Sequence, residues 1–64
     1  MRFFFPVNCD GTTYPDPRGE EFANSSEAAA HAALIAAEIA RGSARPVTVS
    51  LVREDGAVVT QVSG

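Results

Sequence analysis

The chain has 64 residues, with eight acidic side chains against five basic ones, one cysteine and no tryptophan. That length holds a single domain, residues 1–64, which buries only roughly 60% of the surface its unfolded chain exposes. Cys9 alone cannot form an internal disulfide, and no Cys/His set is present to hold a structural zinc.

All five cations are arginines (Arg2, Arg18, Arg41, Arg45, Arg53), scattered along a chain of net charge −3. They form no basic stripe that could neutralise phosphates, so no nucleic-acid partner is expected. The apolar fraction of 45% and charged fraction of 20% are those of a folded globule, not a disordered tail. The opening apolar run, Phe3–Val7, is interrupted by Pro6 and is no secretory segment. Ala28–Ala40 is too short to span a bilayer and contains His31 and Glu38. A cytoplasmic protein without a membrane partner is the expectation.

Met1–Asn8 reads as a strand from its aromatic run, with Phe3, Phe5 and Val7 on one face and Arg2, Phe4 and Pro6 on the other. Asp10-Gly11 is a two-residue hairpin signal, since both residue types tolerate the positive φ of the turn. Closing there returns Thr12–Tyr14 beside the first strand, with Tyr14 opposite Val7. Pro15-Asp16-Pro17-Arg18-Gly19 then ends the hairpin. Glu20–Ala23 follows as a short extended piece that tucks Phe22 under the core.

Asn24 with Glu27 three residues on fits a capping box, and Ser25–Arg41 is composed almost wholly of strong helix formers. Gly42 is expected to stop the helix in a left-handed conformation, with Arg41 complementing the dipole. Ala28, Ala32, Ile35, Ala36 and Ile39 share one stripe, while Leu34 lies on the opposite, wet side.

Val47–Arg53 alternates Val47, Val49 and Leu51 against Thr48, Ser50 and Val52. Asp55-Gly56 is a second hairpin signal. A two-residue loop there sets Leu51 opposite Thr60 and Val49 opposite Val62, and sends Val58 and Val62 to the buried face. A three-residue Glu54-Asp55-Gly56 loop would exchange the faces. The apolar count on the last strand favours the first register.

The resulting pattern is β-β-α-β-β: an α+β fold with a four-stranded antiparallel sheet, expected order 2-1-3-4, and one helix on one face. Phe3-Phe4-Phe5, Asp10-Gly11, Pro15-Asp16-x-x-Gly19-x-Glu21-Phe22, the Ala-rich helix, Val47-x-Val49 and Glu54-Asp55-Gly56 occur in that order. This order resembles a family of short bacterial proteins described only as a domain of unknown function. That family usually carries a polar residue where this chain has Pro6. The resemblance implies no activity. A looser likeness links Pro15-Asp16-Pro17-Arg18-Gly19 and Asn24-Ser25-Ser26-Glu27-Ala28 to HicB-type antitoxins, without the DNA-binding segment many of them carry.

Cys9, His31 and Asp10 are the only ingredients for nucleophilic chemistry, and they lack a set of partners. The plainer reading is an edge-of-core cysteine and an amphipathic histidine paired with Glu27. Asp10, Asp16, Glu20 and Glu21 make the region up to Glu27 acidic, yet their spacing matches no calcium loop. Neither a catalytic residue, a metal site nor a cofactor is expected, and the chain is read as a non-enzyme.

Phe4, Val52 and Val59, on the sheet face away from the helix, and Leu34 on the helix exterior are the candidate interaction surface. Single exposed apolar residues are ordinary, so a plain solvated face is the competing reading. The edge strands Thr12–Tyr14 and Ala57–Val62 offer a further route to pairing between chains. The expected function is a protein-interaction module that forms a homo-oligomer or binds another protein. An antitoxin-like regulator is the alternative.

Overall fold

A computed structural model describes residues 1–64. The elements are β1 (Arg2–Phe4), β2 (Val7–Cys9), β3 (Thr12–Tyr14), β4 (Glu20–Glu21), α1 (Ser25–Arg41), β5 (Val47–Arg53) and β6 (Val58–Ser63). All strand pairs are antiparallel, and α1 packs on one face of the sheet. The α+β class is therefore as expected.

The strand count and order differ from the expected four in order 2-1-3-4. Six strands form the sheet, in the order β3-β2-β5-β1-β4, with β6 also paired to β5. The difference begins at Pro6. Its carbonyl accepts the Ser50 N–H at 3.0 Å, but its nitrogen has no hydrogen to return, so the first strand divides there. The register is unchanged across the break: Phe4 pairs with Val52 and Val7 with Val49. β1 and β2 thus lie end to end along β5. Their far side is divided as well, because β3 pairs with β2 and the two-residue β4 pairs with β1.

The Asp10-Gly11 turn forms as its residue types dictate, with φ of 54° and 82°, and Val7 pairs with Tyr14. The second hairpin is closed differently. Arg53 N–H bonds to the Ala57 carbonyl at 2.9 Å, and Gly56 N–H to the Arg53 carbonyl at 2.9 Å. This is a three-residue Glu54-Asp55-Gly56 loop with Gly56 at φ 88°. A bulge between Leu51 and Val52 absorbs the extra residue. Beyond it the pairs are Leu51 with Thr60 and Val49 with Val62. The loop and the register, posed as alternatives by the sequence, therefore coexist. Val58, expected on the buried face, is 58% exposed. It sits on the turn side of that bulge, where it pairs with Val52.

The helix begins as its capping box demands: Asn24 Oδ1 accepts the Glu27 N–H at 2.9 Å. Its end is not the left-handed stop expected, because Gly42 has φ −97°. Gly42 N–H reaches the Ile39 carbonyl and Ser43 N–H the Ala40 carbonyl, tightening the last turn to i→i+3 bonds. Ala28, Ala32 and Ala36 are fully buried against Phe3, Phe5, Val47, Val49 and Leu51, with Ile35 and Ile39 half-buried at the flank. Small alanines let the helix approach the sheet closely, which leaves the volume of the core to Phe3, Phe5 and the β5 aliphatics.

Candidate functional site

The sheet's uncovered face follows from its pleat. Residues directly opposite in antiparallel strands share a face, so Phe4 and Val52 lie together on the side away from α1. Ser50 and Gln61 share that side, tied by a 3.2 Å bond from Gln61 Nε2 to Ser50 Oγ, and alternation adds Val59. Phe4, Pro6 and Val52 are half-buried and Val59 is 42% exposed. Beside this apolar end lies an open polar trough of about 400 Å³ lined by Asn8, Thr13, Thr48, Ser50 and Gln61. No charged side chain lines the trough.

Three of the four residues singled out from the sequence are thus brought onto one face. Leu34 is not among them. It is 62% exposed on the helix, and the helix packs on the opposite side of the sheet. Pro6 shares this face, as its alternation with Phe4 predicts, although it is not one of the four candidate residues.

The Pro15–Gly19 turn supports the apolar end. Asp16 Oδ2 accepts the Phe5 N–H at 3.1 Å, and its Oδ1 accepts the Gly19 N–H at 3.3 Å. The carboxylate therefore serves the strand where Pro6 interrupts the ladder, and folds its own turn in the same contact. Gly19, at φ 67°, lies so close to β1 that a Cβ there would meet the Phe3 carbonyl at 2.5 Å and the Phe4 ring at 2.9 Å. The D-x-x-G spacing is accounted for by this packing.

His31 is paired with Glu20, not with Glu27 as expected. Its Nε2 lies 3.1 Å from Glu20 Oε2, while Glu27 takes part in the helix cap. The imidazole is wedged between aromatic rings, 5.2 Å from the centroids of both Phe5 and Phe22. β4 produces this partnership by turning Glu20 toward the helix as it pairs with β1. A second open groove of about 430 Å³ runs past Val7, Tyr14, Glu20, His31 and Ile35.

Cys9 has a different neighbour, with its Sγ 4.0 Å from Ser43 Oγ. Asp10 pairs with Arg45, Asp16 with backbone N–H groups and Glu20 with His31. The acidic residues are thereby separated, and no three of the His, Cys, Asp and Glu side chains gather as metal ligands would. At the β5–β6 turn, Arg53 Nη2 lies 2.6 Å from Asp55 Oδ2. That bond, then the Ala57 N–H donating to Asp55 Oδ1, holds the Asp55 carboxyl below its ordinary value. No helix is long and apolar enough to cross a membrane.

A family model described as a domain of unknown function, DUF6894, matches residues 2–63. The match does not extend to the likeness with HicB-type antitoxins. No curated protein and no solved structure matches the chain.

Proposed function

We propose, from the premise that this chain belongs to the DUF6894 family, that it is a non-enzymatic protein-interaction module that self-associates or docks on a protein partner. The observation that carries this reading is the one-sided architecture. The helix covers a single face of the sheet, and Phe4, Pro6, Val52 and Val59 form the apolar end of the other. An antiparallel sheet can leave one face to water, but apolar side chains gathered at one end of that face mark a place for another molecule to dock. The polar trough beside it supplies the hydrogen-bonding margin that interfaces carry around an apolar centre. A free cysteine in a chain of this size suits a reducing, cytoplasmic setting.

Sedimentation analysis from micromolar to millimolar concentration tests self-association. The expected result is a mass that rises above the monomer with concentration, and a fall toward monomer in Val59→Lys with the helical circular dichroism retained. A monomer at every concentration removes self-association from the reading. The net charge of −3 favours a second reading, an antitoxin-like regulator on a basic protein partner. Its test is binding to a small basic RNA-cleaving toxin. Binding that salt abolishes supports it, and no binding at low salt sinks it.

A further inference from the structure

We infer that β6 is the dimer edge of this protein, and that its occupant is β6 of a second copy, paired antiparallel about a two-fold axis at Thr60. This rests on the self-association reading above and assigns it a geometry.

The backbone of β6 shows which groups are free. Gly64 N–H bonds to the Val47 carbonyl, and Thr60 and Val62 pair with Leu51 and Val49 in the same register. Antiparallel ladders alternate, so the N–H and C=O groups of Val59, Gln61 and Ser63 point away from β5. No strand pairs with β6 on that side. Edge strands are normally blunted by charge, proline or shortness. The Val58–Ser63 strand, VVTQVS, carries no charge or proline and is six residues long, and its one bulge lies at the turn end, before Thr60. The opposite edge is blunted, because β3 has three residues followed by Pro15, and β4 is Glu20-Glu21. Pairing β4 with itself would set like charges across the axis.

The second layer has the same character. Helical rotation of about 100° per residue places Ala29, Ala33 and Ala40 on one flank of α1 and His31, Glu38 and Glu27 on the other. His31 lies against Phe5 of the first strand. The chain just after β6 touches the alanine flank, since a Cβ on Gly64 would lie 3.1 Å from Ala40 Cβ. Strand edge and helix flank are therefore both uncharged on the same side of a chain with 13 charged residues, eight acidic and five basic. A molecule of net charge −3 repels its own copy least there.

Symmetry then selects the occupant. A two-fold axis relating antiparallel strands runs perpendicular to the sheet, so both helices fall on one face. An axis at Thr60 sets Val58 opposite the partner's Val62 and Val59 opposite the partner's Gln61, the latter pair on the outer face. An extended peptide would satisfy the strand but leave the alanine flank open; a second copy covers both layers. A six-residue edge about 20 Å long and two layers deep buries on the order of 800–1,000 Å² in total, the range of a weak dimer. The outer faces of the two sheets would join into one continuous surface.

The test uses the full chain with Cys9→Ser. Adding Thr60→Cys places two sulfurs at the axis, where opposed Cα atoms about 4.5 Å apart permit a disulfide. Mild oxidation is expected to yield a covalent dimer, and Thr13→Cys on β3 is expected to yield none. Separately, Thr60→Lys is expected to weaken dimerisation at least tenfold in sedimentation, with circular dichroism unchanged. Val52→Lys, away from the edge, is expected to leave dimerisation intact. A dimer that resists Thr60→Lys and Thr60→Cys cross-linking but is lost in Val52→Lys overturns the edge geometry and leaves the outer-face reading standing. A chain monomeric to millimolar concentration overturns the edge dimer and self-association together.

Discussion

Replacing Gly19 with alanine separates two costs that usually arrive together. Gly19, Gly11 and Gly56 all have positive φ, at 67°, 82° and 88°. An L-residue held in that region costs roughly 1–2 kcal/mol at any of the three. Only Gly19 adds a collision. Its Cβ would stand 2.5 Å from the Phe3 carbonyl oxygen, whereas nothing lies within 4 Å of a Cβ at Gly11 or Gly56. Phe3 is fully buried in the β1–β5 ladder and cannot retreat. Relief must come from the turn, at the expense of the Asp16–Gly19 hydrogen bond and the contact with Phe4. Such crowding adds about 1–3 kcal/mol, so Gly19→Ala is expected to lose about 2–5 kcal/mol in all. A 64-residue domain has only about 3–10 kcal/mol to lose. Urea denaturation followed by far-ultraviolet circular dichroism measures this directly, with Gly11→Ala and Gly56→Ala as controls. The controls are expected to lose about 1–2 kcal/mol each. If Gly19→Ala unfolds within about 0.5 kcal/mol of Gly11→Ala, the close approach of the turn to β1 is not a constraint and the account of the D-x-x-G turn fails.

Asp16→Ala removes the acceptor of both the Phe5 and Gly19 N–H groups, and a loss of about 2 kcal/mol is expected in the same assay. Asp16→Asn should recover only part of this, because one side of the amide is a donor. Leu51→Ala deletes a fully buried side chain on the central strand and is expected to cost about 2–5 kcal/mol, enough to unfold much of the population at elevated temperature. Asp55 carries a pH dependence: its folded value is depressed, first by the Arg53 hydrogen bond and then by the Ala57 N–H. Its contribution is therefore complete above the ordinary carboxylate value of 3.8 and lost as pH falls through the depressed folded value. Asp55→Asn should flatten the stability–pH curve in that acid window, and an identical curve in the variant would contradict the pairing.

The parts of this fold that were legible in the sequence are those set within a few residues. Asn24 caps the helix through Glu27, three positions on, and Asp10-Gly11 adopts the positive φ its residues tolerate. The strand alternation placed Phe4, Val52 and Val59 away from the helix, because a pleat has period two whatever the strand pairs with. The helix stop failed locally. Gly42 was read as left-handed, yet the chain leaves the helix by tightened bonds at ordinary negative φ. Glycine permits the left-handed region without requiring it.

The remaining features depend on partners far along the chain. Pro6 divides the first strand only because β5 lies alongside to show the missing donor. His31 finds Glu20 and not Glu27 because β4 docks on β1, a pairing between two residues and an edge that no local pattern encodes. The loop at Asp55 takes three residues and the register survives, since a bulge at Leu51/Val52 costs less than turning the valines of the last strand to the wrong face. The amino-acid order by itself thus determined the helix, the first hairpin and which side chains share a face, all consequences of local backbone geometry. Only the tertiary structure decided the strand order, the partner of His31 and which edge is left unpaired, because each is settled by competition among distant segments for the same hydrogen bonds and the same buried surface.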